Sequence, residues 1–263
     1  MNFTTVCGLD RRHLEQLSLV WPTWKKNKPD ILKNPMLVFY DYEQVSHEQV
    51  QEVLDHPNLE IRYWPRWKIF YGIGDGSKWA EPQRVKMLTG FVYISGLFVK
   101  TKYWLKLDTD VIARDQPDWI NPDWFKNDPA IVCPPWGFTR PPEQMLFMDD
   151  WVEQNKNRFP FQEIAGKPPL DLHPDQGEDR VKHKRICSWC GFFKSSLSRT
   201  CFQLAQAGCG PGFLPINSQD GYMWYVAKRL GLGIERVRMK NLGWETWSNR
   251  GNLVKNTMEI MNA

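Results

Sequence analysis

The first hundred residues alternate between two kinds of hydrophobic pattern, and this alternation restricts the fold more than any other feature of the chain. Phe3–Leu9 reads as a strand, with Gly8 and Asp10 marking the turn that follows. Residues 12–24 then place Leu14, Leu17, Val20, Trp21 and Trp24 at helical spacing, and Pro22 is expected to break that helix. Asn34-Pro35 closes the connection to Met36–Tyr40, a solid apolar run of the kind buried on both faces of a parallel sheet. Ser46 can cap a helix over 47–54, with Gln49 as its capping-box partner, and His56-Pro57 ends it. Residues 59–64 form a third strand, stopped by Pro65. The order β-α-β-α-β predicts an α/β fold, a mostly parallel central sheet flanked by helices in Rossmann-like fashion. The glycine-rich loop 72–76 is not a dinucleotide fingerprint, because its spacing is wrong and no strand leads directly into it. From Ser77 a long helix runs to about residue 99, with Val85, Leu88, Val92, Ile94, Leu97 and Phe98 apolar.

Residues 103–113, Tyr-Trp-Leu-Lys-Leu-Asp-Thr-Asp-Val-Ile-Ala, supply the fourth strand and the main chemical signal. Tyr103, Leu105 and Leu107 alternate with Trp104 and Lys106, and the run then meets Asp108 and Asp110 with only Thr109 between them. Two carboxylates this close repel. A hard divalent cation relieves that repulsion, and Mg²⁺ or Mn²⁺ suits oxygen ligands and is commonly completed by a substrate's phosphates. Asp-x-Asp also arises as an ordinary solvated turn, so the context carries weight: an apolar strand ends at the pair, and a long helical pattern precedes that strand.

The phrase Leu105-Lys-Leu-Asp-Thr-Asp-Val111 resembles the Asp-x-Asp strand of type-A-fold glycosyltransferases. The resemblance covers most of the chain by order of elements. By residue it covers only 105–111 and one later segment. It implies a single domain over 1–263, with a nucleotide-binding half over about 1–113 and an acceptor-side half over about 114–263. It also implies a nucleotide-sugar donor, a carbohydrate or other hydroxyl acceptor, and Mn²⁺ or Mg²⁺ as cofactor. Asp110 would ligate the metal. Asp108 would bind the donor ribose or the metal, and Arg84 and Lys86 would contact the diphosphate or sugar.

The later segment is Leu214-Pro-Ile-Asn-Ser-Gln-Asp-Gly221, in which Ser218 can cap a helix that Gly231 ends. Asp220 falls in its first turn, where the helix dipole alone would favour an acid. The resemblance adds a second role, that of the base which takes the proton from an acceptor hydroxyl. The family commonly has two acids here, whereas this chain has Gln219-Asp220, so only Asp220 can ionise. A C-terminal His often completes the metal sphere in this fold. This chain has no His beyond His183, which leaves water or a tail residue such as Asn249 as the third ligand.

Elsewhere, residues 118–128 read as a polar and aromatic connection, 131–136 as a short strand and 143–156 as a helix. Residues 159–185 show no periodicity and suit an acceptor-side flap or a surface insertion. A strand over 186–193, a helix over 197–207 and a last strand over 234–239 complete the pattern. The 14 Trp divide between core aromatics and candidates for a sugar-facing groove, among them Trp119 and Trp244.

Net charge is 34 minus 30, or +4, with the bases scattered, which is too weak to imply a nucleic-acid partner, and none is expected. Six Cys are too few and too irregular for a disulfide scaffold, and Cys187-x-x-Cys190 sits within a strand, so buried thiols are expected. Neither a signal peptide nor a transmembrane run is present, and a cytoplasmic location is expected. Two rivals use the same residues. A nucleotidyltransferase or sugar-phosphate processing enzyme would need a glycine-rich, basic loop after the first strand, and Cys7-Gly-Leu-Asp-Arg-Arg12 has one Gly. A non-catalytic carbohydrate-binding protein on the same fold would lack metal-dependent nucleotide binding.

Overall fold

The computed structural model describes residues 1–63, 94–136, 185–186, 189–206, 219–246 and 250–263. Its centre is a seven-stranded sheet. The strands, numbered along the chain, are β1 (Phe3–Leu9), β2 (Met36–Tyr40), β3 (Leu59–Tyr63), β4 (Tyr103–Leu107), β5 (Val111–Ala113), β6 (Ile131–Cys133), β7 (Pro135–Trp136), β8 (Arg185–Ile186), β9 (Cys190–Lys194), β10 (Ile234–Arg236) and β11 (Trp244–Thr246). The main sheet runs β10-β6-β9-β4-β1-β2-β3, and β5–β11 and β7–β8 form two separate ribbons. Neighbours are parallel except at β9, which runs antiparallel to both β4 and β6. A mixed, mostly parallel sheet flanked by helices is therefore the observed architecture, as the alternating pattern implies.

Helix α1 (Arg11–Asn27) begins at Asp10, whose carboxylate accepts from the His13 backbone N–H, and it continues through Pro22 without a break. The expected break does not occur. Proline removes one intrahelical bond, and that loss is outweighed by burial of Leu17, Val20, Trp21 and Trp24 around it. A short helix α2 (Pro29–Lys33) follows. Helix α3 (His47–Val53) has the full Ser46/Gln49 capping box expected from its sequence. Later come α4 (Ser195–Gln206), α5 (Gln219–Arg229), α6 (Met239–Leu242) and α7 (Arg250–Asn262). The expected strand over 234–239 ends at Arg236, because Met239 opens α6. Helix α7 has no counterpart in the sequence reading; it packs against α1.

Of the long helix expected over 77–99, residues 94–98 are helical, Val99 lies just past its end, and 77–93 lie outside the described residues. The expected helix over 143–156 and nearly all of the loop 159–185 also lie outside them. The core contains Phe3, Trp119 and Phe192, with Trp119 edge-on to Trp244 and Trp244 edge-on to Trp24. Trp119 and Trp244 are 2% and 1% exposed, so both are core aromatics and neither lines a groove. Cys7, Cys133, Cys190 and Cys201 are buried, as expected. No described helix is long and apolar enough to cross a membrane.

Candidate active site at the end of the central strand

Strand β4 lies at the middle of the sheet, between β1 and β9, and all five of its residues are buried. It stops at Leu107, but the ladder extends one residue further, because Asp108 N donates to Trp189 O at 2.8 Å. The chain then turns through 108–110 and enters β5, which leaves the main sheet and pairs antiparallel with β11. The acidic pair therefore occupies a bend at the carboxyl end of a central parallel strand, the edge where open α/β sheets bind ligands.

Helix α1 fixes this bend from one side. Thr109 Oγ1 donates to Gln16 Oε1 at 3.1 Å, Trp24 Nε1 donates to Val111 O at 2.6 Å, and Asn27 Nδ2 donates to Ala113 O at 2.8 Å. Ala113 N donates back to Thr23 Oγ1 at 3.1 Å. From the other side β11 supplies Thr246, whose hydroxyl donates to Asp110 Oδ1 across a long 3.4 Å. Arg114 and Glu245 pair at 2.8 Å across the β5–β11 ribbon.

The two carboxylates differ. Asp108 is 41% exposed and pairs with the ammonium of Lys106, which is itself buried. Asp110 is held above the ordinary carboxylate range, first by burial and then by the negative charge of Asp108; a hydrogen bond from its own backbone N–H, the Thr246 hydroxyl and His13 oppose the rise. His13 is oriented by Asp10, whose Oδ1 lies 2.7 Å from its Nδ1. Beneath the site, burial pushes the Cys7 thiol up, and the charge of Asp108 adds to it.

The structure thus brings Asp108 and Asp110 into one electrostatic unit. Asp220 stands in the first turn of α5, as its sequence predicts, and α5 packs on α4 and β8. Its side chain, and the residues Arg84, Lys86, Cys187 and Asn249, lie outside the described residues. Among the described residues no three His, Cys, Asp or Glu side chains converge on a metal position. Two carboxylates suffice for an ion of the Mg²⁺ type, which keeps several waters and takes substrate phosphates. Asp110 fits that use, being a half-buried carboxylate with a like-charged neighbour and a long hydrogen bond from Thr246. Sequence reasoning missed Lys106 and His13. A lysine inside an apolar strand was a signal for the first; nothing local marked the second.

No family model and no curated protein matches the chain. Solved structures do. The chain is similar to the mannosyltransferase Ktr4p from S. cerevisiae in complex with GDP, at 14% identity over 93% of this chain and 70% of that one, with a TM-score of 0.58. It is similar to core-mannan synthase A from Aspergillus fumigatus in its Mn/GDP form, at 12% identity over 93% and 74%, with a TM-score of 0.57. A putative glucose-1-phosphate thymidylyltransferase from Bacillus anthracis, in complex with a sucrose, also aligns, at 11% identity over 100% and 96%, with a TM-score of 0.52. These likenesses show the fold: a central mixed sheet with flanking helices, as in type-A glycosyltransferases.

Proposed function

We propose that the chain is a glycosyltransferase that moves a sugar, a hexose in our reading, from a nucleotide-diphosphate donor to an acceptor hydroxyl. The observation that carries this reading is the bend at 108–110, where a half-buried carboxylate with a raised pKa has a like-charged neighbour at the carboxyl end of a central strand. A divalent cation, Mn²⁺ or Mg²⁺, suits that position. Asp110 would hold it directly, and Asp108 would hold it through water or accept from the donor ribose. When bound, such an ion supplies Lewis-acid stabilisation of charge on the departing diphosphate. The chain's own residues do the rest. Helix α1 holds the bend rigid through Gln16, Thr23, Trp24 and Asn27. Arg84 and Lys86 contact the diphosphate or sugar, and Asp220 takes the acceptor proton at its carboxylate. The nucleotide-binding half spans about 1–113 and the acceptor-side half about 114–263. The few, irregularly spaced cysteines, four of them buried, suit a reducing, cytoplasmic setting.

A nucleotidyltransferase reading has one neighbour in its favour, the putative thymidylyltransferase. The connection after β1 argues against it. Strand β1 ends at Leu9, Asp10 caps, and α1 starts at Arg11, so no glycine-rich phosphate loop fits there. The Asp10 carboxylate already takes an N–H of the first turn.

The test is a thermal-shift panel of nucleotides and nucleotide sugars with and without Mn²⁺. UDP or GDP should raise the melting temperature only with the metal present, because a ligand stabilises the state that binds it. Asp110→Ala should abolish the shift while the protein stays folded. A nucleotide shift that survives in Asp110→Ala would refute the assignment.

A further inference from the structure

Lys106 stands in β4 between Val6 of β1 and Gly191 of β9, and it is 0% exposed. An ammonium at such a depth has no water to solvate it, so the protein must supply its counter-charge. Asp108 does so: Lys106 Nζ donates to Asp108 Oδ1. The two residues are two apart on one strand line and therefore project to the same side. Because the side chain of Asp108 is 41% exposed and that of Lys106 is 1% exposed, the pair runs outward from the core to the sheet edge. A fixed cation lies beneath and a carboxylate lies at the surface. Asp110 instead accepts from its own backbone N–H and, at 3.4 Å, from the Thr246 hydroxyl, and among the described residues no lysine or arginine pairs with it.

The charge count follows. Two carboxylates and one ammonium leave the bend with a net charge of about −1 rather than −2. A divalent cation is held less tightly by the smaller charge. A bound diphosphate brings more negative charge and restores the attraction.

We propose that Lys106 is a resident counter-cation and positioning residue: it holds Asp108 on its ammonium, leaves Asp110 as the carboxylate open to a divalent cation, and makes tight binding of that cation wait for the diphosphate. The diphosphate half rests on the function proposed above. The metal half does not.

The experiment titrates Mn²⁺ into the full chain and follows the electron paramagnetic resonance signal of the free ion, with and without saturating GDP or UDP. Wild type alone should bind Mn²⁺ weakly, and nucleotide should tighten it by about a hundredfold. Lys106→Met keeps most of the stem and removes the charge; in the free protein it should bind Mn²⁺ about tenfold more tightly. It should also show a smaller gain from nucleotide. Lys106→Arg should restore the wild-type behaviour. The diphosphate half is overturned if wild type binds Mn²⁺ as tightly alone as with nucleotide, and the metal half if Lys106→Met leaves the free-protein affinity unchanged. The first arm uses wild type only, so poor folding of a variant does not rescue the idea. Absence of any nucleotide effect, in the wild type and the variant alike, would fail the glycosyltransferase reading and the diphosphate half together; the free-protein comparison would still decide the metal half.

Discussion

Lys28 offers the most quantitative perturbation. It is the residue between α1 and α2 and is 0% exposed. Its ammonium lies 5.4 Å from the ring centre of Trp119 and 5.6 Å from that of Trp244, and donates to Gln116 O at 3.3 Å. Burial lowers its pKa from 10.5 to about 8, against the opposing charges of Cys190 and Asp115. That fall corresponds to about 3 kcal/mol against the charged form. Between the two pKa values the unfolded chain holds the extra proton, so stability rises with pH from about 8 to 10.5. Below about 8 both states are charged and the full cost is present. Lys28→Met keeps the stem and removes the charge. It forgoes two ring contacts, at about 1 kcal/mol each, and one long hydrogen bond. The balance predicts a variant about 1 kcal/mol more stable than wild type near neutral pH. The assay is urea unfolding of both proteins from about pH 7 to about pH 10. The gain should shrink, then reverse, as wild-type Lys28 loses its proton. A variant that is less stable by about 2 kcal/mol, with a gap that does not change with pH, would refute the reasoning and make the caged ammonium a net stabiliser.

Gly243 bears on the same cage, and Asp220 on the proposed transfer. Gly243 has φ of +64°, and a Cβ there would strike Gln116 and come within 2.6 Å of Lys28 Nζ, so Gly243→Ala should cost about 1–3 kcal/mol in a melting experiment. The same change should weaken metal-dependent nucleotide binding, because β11 carries the Thr246 partner of Asp110. Asp220→Asn keeps the shape of the first turn and should cost about 0.3–1 kcal/mol of stability. It should lower the rate of sugar transfer by roughly 10²–10⁴ with donor affinity preserved, and near-normal transfer would remove Asp220 from the mechanism.

The elements that local chemistry fixes were legible in the sequence. Met36–Tyr40 reads as a strand because every position is apolar, and α3 is framed by Ser46 and Gln49, which satisfy each other's backbone groups. What depends on distant partners was not legible. Nothing within Cys190–Lys194 says that it inserts antiparallel between β4 and β6. Nothing near Val111 shows that β5 leaves the main sheet to pair with Trp244–Thr246, some 130 residues later. Pro22 shows the opposite error, in which a strong local rule was overridden by buried aromatics on either side. Trp119 and Trp244 looked equally suited to core and groove, because an indole has the same two faces in either place.

The site divides in the same way. Asp108 and Asp110 announce themselves because two like charges with one residue between them demand an explanation. Lys106 was passed over because period-two alternation assigns it, with Trp104, to the face opposite Leu105 and Leu107, and one polar residue on such a face suggests solvent. That inference holds only for a strand with a wet face. Strand β4 has none: Trp104 packs on Phe193 and donates to Ser198, and every residue of the strand is buried. In a strand covered on both sides a lysine must find an acid, and its same-face neighbours along the chain stand two residues away. One is Trp104 and the other is Asp108. Once the strand is known to be central, the spacing Lys-x-Asp-x-Asp assigns the cation to the first carboxylate and leaves the second for a ligand from outside.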